Sequence, residues 1–156
     1  MKVRFKKAVA SAEKPRNAYS NDAGYDLYAV SDPVINPKKP YIEYDTGIII
    51  EPQEGYHTHI FPRSSISDTD LVLANSVGVI DNGYRNTLKV RFKVIPRLTH
   101  DQNGNWVVEN KNPIIYHKGD KIAQLLATPT TQMEFVEVEE VAESTRGTNG
   151  FGHTGK

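Results

Sequence analysis

Turn-forming residues interrupt this chain so often that they leave little room for a long helix. Nine prolines and eleven glycines are spread over 156 residues. Between them lie runs such as YIEYDTGIIIEP and GYHTHIFP, which are rich in β-branched and aromatic side chains and are closed by Gly or Pro. The alternation in KVRF, residues 2–5, predicts a strand with one buried face. Many short strands at close spacing predict an all-β barrel or sandwich.

Local signals predict where some of these strands turn or end. Asn82-Gly83 and Asn103-Gly104 each lie between two apolar runs, and Asn-Gly suits the tight turn of a β-hairpin. SISDTDLVLANS has room for one short helical turn, GDKIAQLLA is readable as a buried strand, and EFVEVEEVAE as an acidic strand with a solvated face. After Ala142 the apolar pattern ends, so we expect a β-domain over residues 1–141 and a mobile arm over residues 142–156.

Composition excludes several classes of function. Acidic and basic residues balance at 19 each, so no overall field favours nucleic acid or an anionic membrane, and neither is expected as a partner. No apolar run approaches the roughly 20 residues that span a bilayer. The start MKVRFKKAVA has no apolar signal-peptide core. Cysteine is absent, which excludes disulfides, thiol catalysis and zinc-thiolate sites. A cytoplasmic location, or the host cytoplasm for a viral protein, is the resulting expectation.

The C-terminal stretch RGTNGFGHTG carries groups that suit a phosphate. Glycine amides can approach phosphate oxygens, Arg146 offers a planar fork of donors, and Phe151 offers a stacking face. The spacing from Gly150 to Lys156 also fits a P-loop. That loop needs a preceding strand, a following helix and a Ser or Thr after the Lys, so we do not expect a nucleoside triphosphatase. A frayed end is the alternative for this stretch taken alone.

Three further stretches have a chemical and a purely structural interpretation. In PRSSIS, Arg63 could bind phosphate beside two serine hydroxyls, or the stretch could be an ordinary turn. In NSVGVIDNGY, Asp81 could orient or deprotonate a water, or could serve only to form the turn. His57 and His59 alternate onto one strand face, but no third ligand stands at metal-binding spacing, so surface or satisfied core histidines are expected.

Taken in order, five stretches resemble the family of homotrimeric dUTP pyrophosphatases (dUTPases). They are AGYDLYA, PRSSIS, NSVGVIDNGYRNTL, KGDKIAQLL and RGTNGFGHTG, and they span residues 23–155. Five motifs in this order at compatible spacings are highly specific. The resemblance implies an antiparallel jelly-roll-like barrel with a flexible Gly-rich C-terminal arm. It also implies a homotrimer whose active sites are shared among subunits.

The resemblance implies the reaction as well. A water attacks the α phosphorus of dUTP and gives dUMP and pyrophosphate without a covalent intermediate. This activity keeps uracil out of DNA and supplies dUMP for thymidylate synthesis. The implied cofactor is Mg²⁺, held chiefly by the triphosphate because Mg²⁺ keeps many of its waters. Asp26 would support the metal indirectly, through waters or a neighbouring side chain.

Residue roles follow from the matching positions. Asp81 would orient and activate the water, and Tyr84 would pack against the deoxyribose and exclude UTP. The uracil edge would be read by Asn75 and the main chain of Gly78, Val79 and Ile80. The phosphate chain would be held by Arg63, Ser64, Ser65 and Gln124. The arm would place Phe151 on uracil and contribute Arg146, Gly152, His153 and Thr154 to substrate binding, and Lys89 would lie near the substrate.

The chain departs from the family pattern at three places. His153 stands where the family usually has Ser, which predicts a pH-sensitive γ-phosphate contact. Asn86 stands where Gly commonly follows the tyrosine, and Asn tolerates the positive φ of such a turn. The stretch Arg97–His117 is longer than compact members need. It is interpreted as an extra hairpin with an exposed Trp106 that contacts a protein partner or decorates the trimer, with a plain loop extension as the alternative.

Two other functions compete with this interpretation. A dCTP deaminase of the same fold also carries an RSS run, but that chemistry requires a Glu just past the turn, where this chain has RNTLKV. The second alternative is a trimer whose Arg97–His117 insert binds a regulatory protein, with hydrolysis secondary.

Overall fold

The regular secondary structure of the described residues consists almost entirely of short strands, as the sequence predicts. The computed structural model describes residues 1–109 and 112–150. Their strands are β1 (Val3–Lys7), β2 (Tyr25–Tyr28), β3 (Val34–Ile35), β4 (Ile42–Asp45), β5 (Ile48–Pro52), β6 (Tyr56–Phe61), β7 (Leu71–Leu73), β8 (Gly78–Ile80), β9 (Lys89–Val94), β10 (Arg97–His100), β11 (Trp106–Glu109) and β12 (Lys121–Pro129). A single-turn 3₁₀ helix, Ser64–Asp68, lies where a helical turn was expected. Within these ranges no helix is long and apolar enough to cross a membrane.

Two four-stranded antiparallel sheets carry the core. Their strand orders are β2-β12-β6-β8 and β3-β4-β9-β7, and two-stranded ladders join β1 to β5 and β10 to β11. The inward faces of both large sheets contribute to one cluster of buried apolar residues. Strand β12 supplies Ile122, Ala123 and Leu125 to this cluster, which confirms that GDKIAQLLA forms a buried strand. Burial of this apolar surface is the main force that holds the two sheets together.

Three aromatic rings lie at the centre of this core. Tyr44 meets Phe92 edge to face with ring centroids 5.8 Å apart, and the ring centroids of Phe92 and Tyr116 are 5.7 Å apart. The Tyr44 hydroxyl donates a 2.8 Å hydrogen bond to the main-chain oxygen of Tyr116, so burial leaves this polar group satisfied. Burial raises the pKa of the Tyr44 phenol well above its usual value. The phenol is therefore a neutral structural group.

The two Asn-Gly pairs have different outcomes. Asn103-Gly104 does connect a paired hairpin, because β10 and β11 are in register from Arg97↔Glu109 to His100↔Trp106. The hairpin expected at Asn82-Gly83 is wrong. Strand β8 pairs with β6, whereas β9 pairs with β4 and β7 in the other sheet. The Asn82-Gly83 turn therefore passes from one sheet to the other, because burial of Val90 and Phe92 in the second sheet outweighs the local preference for a hairpin.

The β10–β11 hairpin belongs to the expected insert, and a buried carboxylate ties it to the barrel. Asp70 accepts hydrogen bonds from Arg97 Nε at 2.7 Å, from Arg97 Nη2 at 2.5 Å and from the Ile114 amide at 2.6 Å. The Arg97 hydrogen bonds and the Ile114 amide hold the pKa of Asp70 below its usual value. Because Arg97 begins the insert and Ile114 lies near its end, one side chain holds both of its ends.

Two segments expose apolar surface within the single chain. Strand β1 is exposed along its whole length, so the prediction of one buried face in KVRF is wrong for the isolated chain. Its Val3 and Phe5 line an open groove of about 430 Å³. Residues 131–150 are exposed throughout and form no strand, so the acidic strand expected at EFVEVEEVAE is not formed within the chain. Phe135 in this segment is 88% exposed.

Candidate active site

A cleft of about 520 Å³ collects most of the residues expected to contact a nucleoside. We call it the Asp81 cleft. Its predicted lining residues are Asn75, Gly78, Val79, Ile80, Asp81, Tyr84 and Lys89. The cleft lies between the start of β8, the turn that follows β8, and the outward face of β9. The sequence motif therefore maps onto one continuous surface.

The turn before β8 places Asn75 over Gly78. Ser76 adopts a left-handed conformation, with φ of 60°, and the Val77 amide donates a 2.6 Å hydrogen bond to the Asn75 oxygen. A Cβ at Gly78 would lie 3.4 Å from Asn75 Nδ2 and 3.3 Å from Ile60 Cβ. A Cβ here would be tight against Ile60 and in ordinary contact with the Asn75 amide. The backbone at Gly78 is therefore closely approached by both neighbours, which glycine accommodates without any shift.

Asp81 and Tyr84 occupy the two ends of the turn after β8. The Tyr84 amide donates a 3.1 Å hydrogen bond to the Asp81 main-chain oxygen, which closes the turn. The Asp81 carboxylate is exposed, and across residues 1–109 and 112–150 it makes no hydrogen bond or ion pair with protein. The Tyr84 hydroxyl donates to the Thr87 oxygen at 3.2 Å, which fixes its ring beside the carboxylate. A carboxylate in this setting can accept a proton from a bound water.

Lys89 lines the same cleft, but its charge is already engaged. Its ammonium lies 3.2 Å from Glu43 Oε1, and Arg91 Nε lies 2.7 Å from the other oxygen of Glu43. Partial burial disfavours the charged form of Glu43, but the hydrogen bonds from Arg91 and Lys89 outweigh it and lower the pKa of the carboxyl. The Arg91 guanidinium also lies over the Tyr41 ring, 4.6 Å from its centroid. Sequence reasoning missed Tyr41, which lies far from the motif in the chain and meets the cleft only through the β4–β9 pairing.

A second group of predicted residues forms around a buried carboxylate. Arg63 Nε donates to Asp26 Oδ1 at 2.7 Å, and Arg63 Nη1 donates to the Ser65 hydroxyl at 3.2 Å. Gln124 Nε2 donates to the Pro62 oxygen at 2.9 Å, while Ser64 is exposed at the start of the 3₁₀ helix. A Cβ on Gly24 would lie 2.3 Å from Gln124 Oε1, so this glycine makes room for the amide.

Lys121 joins this group, although the sequence did not single it out. Its ammonium lies 2.9 Å from Asp26 Oδ2, so both carboxylate oxygens face cations. The pairing between β12 and β2 shifts register between Lys121 and Ala123. This irregularity brings Lys121 and Gln124 beside the same strand-β2 residue, whereas strict alternation would put residues three apart on opposite faces. We call the set Asp26, Arg63, Ser65, Lys121 and Gln124 the Arg63 cluster.

The Asp81 cleft and the Arg63 cluster lie far apart in one chain. Gln124 pairs with both Asp26 and Phe61, while Ile80, the residue before Asp81, pairs with Thr58. Asp81 is thus about four residues along the strands and three strands across from Asp26. At standard strand spacings this is about 20 Å. The backbone positions of the two groups are therefore well separated along and across the sheet.

Of the arm residues predicted to bind substrate, only Arg146 lies within the described structure. Arg146 Nε donates a 2.9 Å hydrogen bond to the Asn149 oxygen, within the arm itself. Arg146 therefore lies in neither the Asp81 cleft nor the Arg63 cluster. The predicted positions Phe151, Gly152, His153 and Thr154 lie outside the described residues.

The donor groups of the described residues limit how a metal ion could be held. In the described ranges no three His, Asp or Glu side chains form a metal-binding group. The rings of His57 and His59 meet edge to face with centroids 4.7 Å apart, and their Nδ1 atoms lie 2.9 and 3.2 Å from the hydroxyls of Thr130 and Thr128. Asp26 is occupied by two cations, so it does not fit a direct metal ligand but does fit the expected indirect role through the neighbouring Arg63.

The described residues thus form an all-β fold with an exposed carboxylate at a cleft of about 520 Å³ and a separate cluster in which Arg63 and Lys121 surround Asp26. A sequence model of the dUTPase family matches residues 10–155. The deoxyuridine 5′-triphosphate nucleotidohydrolase of Clostridium tetani is 36% identical over 155 residues, which cover 99% of this chain and 97% of that protein. The chain therefore belongs to the dUTPase family.

Solved structures agree with this assignment. A mutant dUTPase of Staphylococcus bacteriophage 80alpha, solved with dUpNHpp, matches with a TM-score of 0.75 and 27% identity, covering 99% of each chain. A mutant dUTPase from phage phi11 of S. aureus, described with a structural Mg(II) ion, matches with a TM-score of 0.68 and 26% identity over 92% of this chain and 100% of that one. The predicted jelly-roll-like all-β fold is confirmed by these similarities.

Proposed function

We propose that this chain hydrolyses dUTP to dUMP and pyrophosphate, with the Asp81 carboxylate as the group that activates water. Membership of the dUTPase family supports the reaction. The observation that carries the residue assignment is the Asp81 cleft, where Asp81 and Tyr84 lie beside Asn75 and the Gly78 backbone. In the cell this reaction lowers the dUTP available for incorporation into DNA and supplies dUMP. The cytoplasmic location expected from the sequence stays a prediction.

The proposed chemistry is an in-line displacement at phosphorus. A water held by Asp81 attacks the α phosphorus as its proton moves to the carboxylate. The bond from the α phosphorus to the bridging oxygen breaks, and pyrophosphate leaves with the electron pair. One proton acceptor held in place is sufficient for this step. A positioned general base typically increases the rate of the reaction by about 100- to 10,000-fold. The Asp81 carboxylate is exposed and has no hydrogen-bond or ion-pair partner in the described part of the chain, which fits that role.

Substrate selection is assigned to the walls of the cleft. Tyr84, held through Thr87, would pack against the deoxyribose and leave no room for a 2′-hydroxyl. Asn75 and the main chain of residues 78–80 would read the uracil edge. The close packing of Asn75 and Ile60 around Gly78 supports this assignment, since a crowded wall resists displacement by a larger base.

The phosphates are assigned to the Arg63 cluster of a different copy of the chain. Because this cluster lies about 20 Å from Asp81 along and across the strands, one chain cannot supply both to one triphosphate. We therefore propose shared sites in a homotrimer. The exposed apolar groove beside β1 and the exposed Phe135 support association with further copies. Light scattering should give about three times the chain mass of 17.5 kDa; a monomer that turns over dUTP at full rate would contradict shared sites.

Mg²⁺ is proposed as the cofactor, held mainly by the substrate. When bound, the ion neutralises charge on the phosphate oxygens. The protein's own contribution is Asp26, which orients Arg63 toward the phosphates and is itself engaged by Lys121. The division into a domain of residues 1–141 and a flexible arm of residues 142–156 likewise stays a proposal; residues 142–150 are exposed, as an arm requires, and the exposure already begins at residue 131.

A panel of nucleotides tests the proposed function. With Mg²⁺ present, pyrophosphate release should be fast from dUTP, while kcat/KM should be at least about 100-fold lower for dTTP, UTP and dCTP, because each places an extra or altered group against a packed wall. Adding a chelator in excess of Mg²⁺ should stop the dUTP reaction. Ammonia release from dCTP would instead support the deaminase alternative, and intact dUTP would contradict the proposal.

A second role is proposed for the insert, as a surface that binds a protein partner. Leu98 pairs with Val108, and His100 pairs with Trp106, so these four side chains share one face of the β10–β11 hairpin. Trp106 and Leu98 are each 67% exposed, and the His100 ring lies 3.9 Å from the Trp106 ring. An exposed apolar face of this kind is typical of interaction surfaces.

Deleting the insert separates the two roles. Replacing residues 98–112 with a short Gly-Ser linker keeps Arg97 and Ile114, whose contacts with Asp70 hold the ends together. We expect dUTP turnover to stay within about twofold of wild type, since insertions at exposed loop positions are tolerated best. A Leu98→Ser variant with the hairpin intact serves as a matched control. Loss of turnover on deletion would show that the insert belongs to the active site.

A further inference from the structure

The position of Asp81 is not determined by the sheet that precedes it. Strand β8 pairs with β6 over only three residues, and the last pair is Thr58↔Ile80. Asp81 follows immediately, and Gly83 adds conformational freedom to the turn. A second contact must therefore hold the turn of residues 81–84 in place if its carboxylate is to be positioned accurately.

Asn82 supplies that contact. Its Nδ2 lies 3.2 Å from the Pro52 oxygen, 3.0 Å from the Gln53 oxygen and 2.8 Å from the Tyr56 oxygen. All three acceptors lie where β5 ends and β6 begins. The amide group has two hydrogens, so at least one of them is shared between two carbonyls. This side chain connects the turn to the rigid β5–β6 connection.

Hydrogen bonding and burial fix the backbone that carries these three acceptor oxygens. The Tyr56 amide donates a 3.2 Å hydrogen bond to the Gln53 oxygen, and Pro52 is buried at the end of β5. Arg85 adds a weaker support from the same side, because it donates to the Asn82 main-chain oxygen and its Nη2 lies 3.9 Å from Glu51. The turn is thus clamped to a neighbouring loop by side chains that do not line the Asp81 cleft.

We propose that Asn82 is a positioning residue for hydrolysis, which places the Asp81 carboxylate against the attacking water. The inference rests on the proposed function of Asp81. Asn82 lies next to Asp81 in the chain, so any tilt of the turn moves the carboxylate directly. A displacement of about 1 Å at a reacting group can lower the rate about 100-fold. The uracil-reading residues 75–80 precede the turn and would be disturbed less.

Asn82→Ala tests the proposal. We expect kcat for dUTP to fall by about 10- to 100-fold with KM within about threefold, because the geometry of attack changes while the proposed uracil and phosphate contacts, which lie outside the turn, remain. Binding of a non-hydrolysable α,β-imido dUTP should be retained, which also reports that the variant is folded. The matched control is Asn86→Ala in the same loop, whose side-chain oxygen accepts a hydrogen bond from the adjacent Thr87 amide and, across residues 1–109 and 112–150, from no other group; its kcat should match wild type.

Asn82→Asp gives a second readout that a merely structural role would not produce. An ionised carboxylate would face three carbonyl oxygens and repel them, whereas the protonated acid can donate one hydrogen bond. The kcat of Asn82→Asp relative to wild type should therefore rise as the pH is lowered, and the ratio for Asn86→Asp should stay flat.

The outcomes separate this inference from the proposed function. Wild type that leaves dUTP intact would contradict the function itself. Active wild type with full kcat in Asn82→Ala would overturn only the positioning role. A lower melting temperature with unchanged kcat, or an equal loss in both alanine variants, would overturn it as well. A loss of kcat confined to the Asn82 variants, with the analogue still bound, supports it.

Discussion

Asp81→Asn should bind dUTP as tightly as wild type and hydrolyse it about 100- to 10,000-fold more slowly, the range that a general base contributes. The amide has nearly the same shape as the carboxylate and still accepts a hydrogen bond, but it cannot take a proton from water. The loss should therefore fall on kcat. Single-turnover measurements with Mg²⁺ give the rate of hydrolysis, and calorimetric titration of a non-hydrolysable analogue gives the binding affinity.

The control for Asp81→Asn is Asp68→Asn, which makes the same chemical change at an exposed carboxylate at the end of the 3₁₀ helix. Asp68 lines neither the cleft nor the Arg63 cluster, so its turnover should equal that of wild type. If Asp81→Asn kept more than about a tenth of wild-type kcat, the loss of rate would be far smaller than the contribution of a general base. Another group would then have to activate the water.

Removing residues 142–156 should leave a folded, assembled protein whose kcat/KM for dUTP is at least about 100-fold lower, because closure of a lid positions the substrate and excludes bulk water. The hydrogen bonds of residues 142–150 lie within the arm, so removing these described residues takes no hydrogen bond from residues 1–141. The proposed contacts of Arg146 and Phe151 with substrate would be lost together. Initial rates over a range of dUTP concentrations, with size and melting temperature measured alongside, check this result.

Removing Lys156 alone provides the control for the truncation, since that residue carries no predicted role. Its activity should match wild type. Full turnover by the longer truncation would show that the arm is not a lid. Aggregation or dissociation of the truncated chain would show that the arm serves assembly. A melting temperature equal to that of wild type would distinguish this result from misfolding.

The sequence predicted local features best where neighbouring residues decide them. The Asn103-Gly104 hairpin forms as expected because, among the described strands, β10 and β11 pair only with each other, and β11 is exposed along its whole length. At Asn82-Gly83 the same dipeptide failed as a hairpin signal. Its flanking strands find buried partners in two different sheets, and the side chain of Asn82 bonds to the β5–β6 connection instead.

The candidate active site also combines features that neighbouring residues decide with features that long-range strand pairing decides. The motif from Asn75 to Tyr84 converges on one cleft because its residues are close in the chain. Lys121 was missed because only a register shift in β12 brings it to Asp26. Tyr41 was missed because it reaches the cleft through strand pairing between distant segments.

By itself, the order of motifs and turn residues determined the all-β class, the family and the identity of the candidate catalytic carboxylate, since these depend on residue type and spacing along the chain. Only the tertiary structure decided which strands pair and that Asp81 and Arg63 lie on separate parts of one chain. It also decided that the Asn82 side chain bonds the turn of residues 81–84 to the β5–β6 connection. Those relations depend on long-range burial and on backbone register, and neither quantity is encoded in a local pattern.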